Sequence, residues 1–189
     1  MRLAALLHRR RLPAGVGMHP DARVARDVRF DLGPGARVTL ERGCRIGEGT
    51  RFDVASGEVT VGADALLGRR CVVRARERIT IGAGVRTGDF VMVTDIAPPG
   101  DDVDVESPIR FAGERTAPVE IGEGAILGAR ACVQAGVSVG AGAVLEAGSV
   151  AVRAVPAGST QIGVPAGVPS RPRPRRPPRP PGRGAPGGR

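Results

Sequence analysis

The chain has no lysine, tryptophan or tyrosine, and its 189 residues include only two histidines, three cysteines and four phenylalanines. Each shortage closes a class of chemistry. Without lysine there is no phosphate-binding P-loop, whose signature requires one. His8 and His19 both stand before or at the first repeat, and a Ser-His-Asp triad, an HExxH zinc site and a three-His cluster all lack residues, so no metal is expected. Cys44, Cys71 and Cys132 are odd in number, far apart and never in a CxxC, which fits reduced thiols at small interior positions rather than a disulfide framework or zinc site. Residues 3–7 are too short an apolar run for a signal peptide and nothing approaches a membrane span, so the expected compartment is the cytoplasm.

All 28 basic residues are arginine, a GC-rich coding bias that weakens any argument from the choice of Arg or Ala. The net charge of +9 sits at the two ends, because residues 21–168 hold 17 Arg against all 19 acids, a net −2. From Pro169 onward Pro, Arg and Gly alternate with almost no apolar residue, and such a tail cannot bury a core. Its arginines are able to release counterions from a polyanion, but no aromatic is interleaved for base stacking. The composition therefore argues against nucleic acid and is compatible with basic ends that graze an anionic membrane surface.

What the chain does have is a beat. Ile121, Leu127, Val133, Val139, Leu145 and Ala151 recur every six residues, with Ala125, Ala131, Val137, Ala143 and Ser149 in a second, small register. That period is neither helical nor simple strand; it is the mark of a parallel β-helix with one short strand per side of a triangular coil. Gly122, Gly128 and Gly140 follow their apolar partners directly, where a tight corner asks for backbone freedom. Upstream, Val61, Leu67 and Val73 keep the beat, and Ile81, Thr87 and Val93 resume it after a two-residue slip near Glu77 and Arg78. Val24 and Phe30, then Leu40, Ile46 and Phe52, are worn copies. The expected organisation is all-β: a basic cap over 1–18 with a short helix, six or seven coils over 19–168, and a disordered tail over 169–189. Between Thr94 and Val119 the repeat stops and then returns in phase, so residues 94–118 form an excursion from the prism, and long loops in compact folds are usually functional or disordered.

The strings TDIAPPGDDVDVESPI, APVEIGEGAILGARACV, GVSVGAGAVLEAGSV and AVPAGSTQIGVPAGV resemble, in order and spacing, the closing half of the hexapeptide-repeat acyltransferases, the group of maltose, galactoside and polysaccharide O-acetyltransferases. The resemblance covers roughly residues 19–170. It implies a left-handed β-helix, a homotrimer, acetyl-CoA or another acyl-CoA in a groove between subunits, and a sugar-like acceptor beside the excursion. By the same resemblance Ala129 and Ala147 match small positions that let the pantetheine arm lie on the coil, while Val152 and Arg153 match a Thr-Lys pair near the far end of CoA. Ile126 stands where relatives commonly have Trp, and Gly167 and Ser170 where they often carry basic residues, with Arg171 and Arg173 just after.

The family's base is a His in a D-x-x-H string, and here that string reads Asp95-Ile96-Ala97-Pro98. Pro98 cannot carry a proton. The carboxylates of the same segment, Asp95 first, are the remaining candidates. Two readings stay open: an acyltransferase weakened by loss of its base, and a non-catalytic trimeric binding or scaffold protein of the same fold.

Overall fold

The computed structural model describes residues 12–97 and 115–167; the expected helix within residues 2–11, the excursion's residues 98–114 and the tail lie outside the described residues. Every described regular element is a β-strand of two to four residues. Apart from one antiparallel pair, the strands stack into three parallel sheets, one for each side of a prism, and make a solenoid of about six turns. The first face holds Val16–Met18, Arg37–Leu40, Glu58–Val61, Arg78–Ile81, Val119–Ile121 and Ser138–Val139. The second runs from Arg23–Val24 to Thr160–Gln161, and the third from Arg29–Leu32 to Val150–Ala151.

The coils are not of equal length. Val16 pairs with Val38, Val38 with Val59, and Val59 with Ile79, which are steps of 22, 21 and 20 residues. After the excursion, Ile121 pairs with Val139, a step of 18. The constant side of six therefore holds only in the closing coils. Early coils have four-residue strands on the first and third faces and longer corners between them. The slip near Glu77 and Arg78 is one of these corners, and the excursion emerges from the same edge of the prism.

Aliphatic side chains fill the prism because alternate residues of each strand point inward. Val38, Phe52, Leu127 and Leu145 are fully buried, and each such burial contributes about 1.5–3 kcal/mol. Parallel pairing stacks like on like: Phe30 lies on Phe52 with ring centroids 5.0 Å apart. Cys44 and Cys71 occupy the buried small register as expected. Cys132 does not; it points outward in the row Val72, Met92, Cys132, Val150 and is half-buried. Interior polar groups are satisfied: the Thr50 hydroxyl donates to the Gly68 carbonyl at 3.0 Å, and the Gly163 amide donates to the Ser149 hydroxyl at 3.0 Å.

The glycines that follow the apolar register have a different purpose from the one expected. At Gly128 an added Cβ would meet the Ala147 nitrogen at 2.3 Å, and at Gly140 the Ala157 nitrogen at 2.3 Å, so these corners need an absent side chain. Backbone freedom is demanded two residues later, where Gly124 and Gly142 have φ of +65° and +64°.

Two outcomes are expected. Leu127→Asp places an unpaired charge in the closed prism and yields protein without native circular dichroism. Gly128→Ala forces stacked corners apart at a cost of about 1–3 kcal/mol, which lowers the melting temperature by several degrees in calorimetry.

Candidate functional site

The excursion grows from the corner between the third and first faces. Ile96–Ala97 pairs antiparallel with Arg115–Thr116, and the Ala117 amide donates to the Asp95 carbonyl at 2.9 Å, so the segment leaves and returns through a closed stem. Gly136 in turn donates to the Ala117 carbonyl at 3.0 Å, which carries the corner past the interruption.

Asp95 sits at the root of this stem and is fully buried. Its Oδ1 accepts the Arg76 amide at 2.9 Å, while Oδ2 accepts the Glu77 amide at 2.7 Å and the Arg78 amide at 2.9 Å. Three successive N–H groups thus converge on one carboxylate, a turn that binds an anion. Both oxygens accept amides of the preceding coil, and in this geometry Asp95 latches a corner. Composition gave no hint of the latch, because its partners lie one coil away. The histidine available among the described residues, His19, lies at a different corner three coils from Thr94, about 14 Å away along the axis alone at roughly 4.8 Å per coil.

The residues matched to CoA positions fall on two edges of the third face. Ala129 and Ala147 stack directly at the corner between the second and third faces, where the Gly148 amide donates to the Ala129 carbonyl at 2.9 Å. Earlier members of that column are Glu48, Arg69 and Asp89, with Arg69 and Asp89 ion-paired at 2.9 Å. Only in the closing coils does the column become small enough for a chain to lie along the backbone. Val152 and Arg153 lie exposed at the other edge, between the third and first faces, and Arg153 has no ion-pair partner among the described residues. Ile126 is exposed on the second face, and Gly167 closes a two-residue bridge with Ile162; Ser170, Arg171 and Arg173 lie outside the described residues.

Residues 118–151 match the model of the hexapeptide repeat of succinyl-transferase. A probable acetyltransferase of Mycobacterium tuberculosis is 30% identical over 133 residues, covering 70% of this chain and 44% of that protein. The chain belongs to the hexapeptide-repeat acyltransferases. It spans less than half the length of the curated relatives it matches. Among solved structures of the same fold, a mutant of the N-acyltransferase AntD from Bacillus cereus, in complex with dTDP-4-amino-4,6-dideoxyglucose and coenzyme A, superposes with a TM-score of 0.65 at 16% identity, covering 80% of each chain. A hexapeptide-repeat acetyltransferase of Vibrio cholerae complexed with acetyl coenzyme A gives 0.55 at 21% identity, covering 67% of this chain and 69% of that one.

Burial disfavours the thiolate at two of the three cysteines. Burial, then the charges of Glu41 and Asp64, push the Cys44 thiol up to about 11, and burial also raises that of Cys132. Among the described residues no group of three or more His, Cys, Asp or Glu is placed to hold a metal, and no helix is long and apolar enough to cross a membrane.

Asp95→Ala leaves the converging amides of Arg76, Glu77 and Arg78 without their buried partner, and is expected to cost about 2–4 kcal/mol in chemical denaturation. Cys44 gives a pH signature. Its folded value of about 11 exceeds the ordinary thiol value near 8.5, so its neutral form stabilises the fold fully below pH ~8.5, and that contribution is lost as pH rises towards ~11. A Cys44→Ala variant is expected to flatten the fall in melting temperature across that window.

Proposed function

We propose that the protein is a CoA-dependent acyltransferase that moves an acetyl or other acyl group to a hydroxyl or amine of a sugar-like acceptor, and that it works in the cytoplasm as a homotrimer of left-handed coils. The observation that carries this reading is the combination, around one face, of the small corner column at Ala129 and Ala147 with Arg153, which has no ion-pair partner among the described residues, on the opposite edge. Pantetheine has no charge and needs close approach to backbone, while the phosphates at the other end of CoA need a cation. Outward rows that become apolar in the later coils, such as Val72, Met92, Cys132 and Val150, support packing of copies against one another. The Vibrio and Bacillus proteins crystallised with acetyl-CoA or CoA support the co-substrate, and the aminosugar nucleotide of the latter supports the acceptor class.

In this reading the acceptor oxygen or nitrogen attacks the thioester carbonyl carbon, the C–S bond breaks, and CoA leaves as the thiolate that takes up a proton. The acceptor proton goes to solvent or to a carboxylate, because Pro98 stands at the family's base position and Asp95 is engaged with backbone. Positioning then supplies most of the acceleration, and the family's histidine base, worth ~10²–10⁴ in rate, is missing.

Titration calorimetry with CoA tests binding, and Arg153→Ala is expected to weaken it about tenfold through loss of a charge-assisted phosphate contact. Pro98→His is expected to raise thiol release from acetyl-CoA by up to ~10²-fold. The missing base also favours a second reading, a non-catalytic binding protein of the same fold; CoA binding with no acceptor-dependent thiol release in either wild type or Pro98→His selects it.

A further inference from the structure

The early coils carry a cleft of about 370 Å³ on the edge between the third and first faces, lined by Gly35, Arg37, Gly57, Glu58, Glu77 and Arg78. It lies immediately before the corner from which the excursion springs. Arg37, Glu58 and Arg78 are register partners on three successive strands, so their side chains project in one column of alternating sign. Elsewhere this fold ties such opposite charges together across coils: Arg51 with Asp31 at 2.8 Å, Arg69 with Asp89 at 2.9 Å, and Arg74 with Asp53 at 3.4 Å. In the cleft column no ion pair forms among the described residues, although the partners are stacked directly on one another.

Two features keep the cleft open and fixed. Gly57 lacks the Cβ that would strike the Glu77 carbonyl oxygen, so the corners pack closely beneath the charged ends, and Gly35 leaves open space on the other wall. The backbone of Glu77 and Arg78 is anchored by the buried Asp95 carboxylate at 2.7 and 2.9 Å, which ties the cleft wall to the root of the excursion.

We infer that this cleft is an acceptor subsite, and that the acceptor carries an amine together with an anionic group such as a phosphate or carboxylate. A simple anion seated on Arg37 or Arg78 meets Glu58 and Glu77, and a simple amine seated on the glutamates meets two guanidiniums. A ligand with both signs satisfies the column, its ammonium on Glu58 and its anion on a guanidinium, each through charge-assisted hydrogen bonds. The inference rests on the acyltransferase reading for the word acceptor; the charge pattern itself is independent of it.

Calorimetry with three probes tests the inference: glucosamine 6-phosphate carries both charges, glucosamine only the amine, and glucose 6-phosphate only the anion. The expected result is that glucosamine 6-phosphate binds at least about tenfold more tightly than either half-probe. Arg78→Gln and Glu58→Gln should each reduce it to half-probe affinity, with melting temperature and CoA binding unchanged because both side chains are exposed. Arg86→Gln, on the second face, should change nothing. Equal binding of the three probes, wild-type affinity in the two cleft variants, or no binding of glucosamine 6-phosphate at millimolar concentration overturns the inference. CoA binding without probe binding removes the cleft and leaves the transferase reading; probe binding without CoA binding does the reverse.

Discussion

Stacked corners of neighbouring coils hydrogen-bond through their backbones, and at that separation there is no room for a first side-chain carbon at Gly122, Gly128 or Gly140. This steric limit is what the rest of the molecule depends on. It holds successive coils in register, so that each inward Val, Leu or Ile lands on its counterpart and closes a dry column. It also places outward residues of distant sequence positions in straight rows. A solenoid built this way writes chemistry in columns, and the columns change character along its length: charged at Glu48, Arg69 and Asp89, small at Ala129 and Ala147.

The one long interruption respects the same limit. Its stem closes through Asp95 and Ala117, and the corner resumes with Gly136 on Ala117, so the prism passes the insertion without losing register. Asp95 makes this possible by gathering the amides of three residues from the coil before. A carboxylate that is indispensable to a corner is poorly suited to take a proton from a substrate. The residue that the family would use, a His at the position of Pro98, is absent, and the acyltransferase reading rests on positioning surfaces rather than on a proton-transfer group.

Much of the architecture was legible because phase survives compositional bias. The spacing of Ile121, Leu127 and Val133 revealed the inward column, and the break after Thr94 marked the excursion. The lengths of early coils were less visible, since Phe30 and Phe52 keep their inward role while extra residues hide in wider corners. Gly128 was visible as a corner glycine but not for the right reason, because close approach to Ala147 depends on a neighbour 19 positions away. Cys132 resembled its buried siblings and turned out to face outward. Among the candidate site residues, Ala129, Ala147 and Arg153 were reached through the family's strings, whereas the column of Arg37, Glu58 and Arg78 emerges only when three coils are laid on each other.

In the proposed function the closing coils hold an acyl carrier along a Cβ-poor column with a cation at the far edge. A crystal structure of the wild-type protein grown with coenzyme A tests it most directly. The expected result is copies arranged about a threefold axis, the pantetheine arm against the backbone at Ala129 and Ala147, and a CoA phosphate within hydrogen-bonding distance of the Arg153 guanidinium. A crystal saturated with coenzyme A in which those surfaces are bare, or are covered by a neighbouring copy with no ligand between, would contradict it.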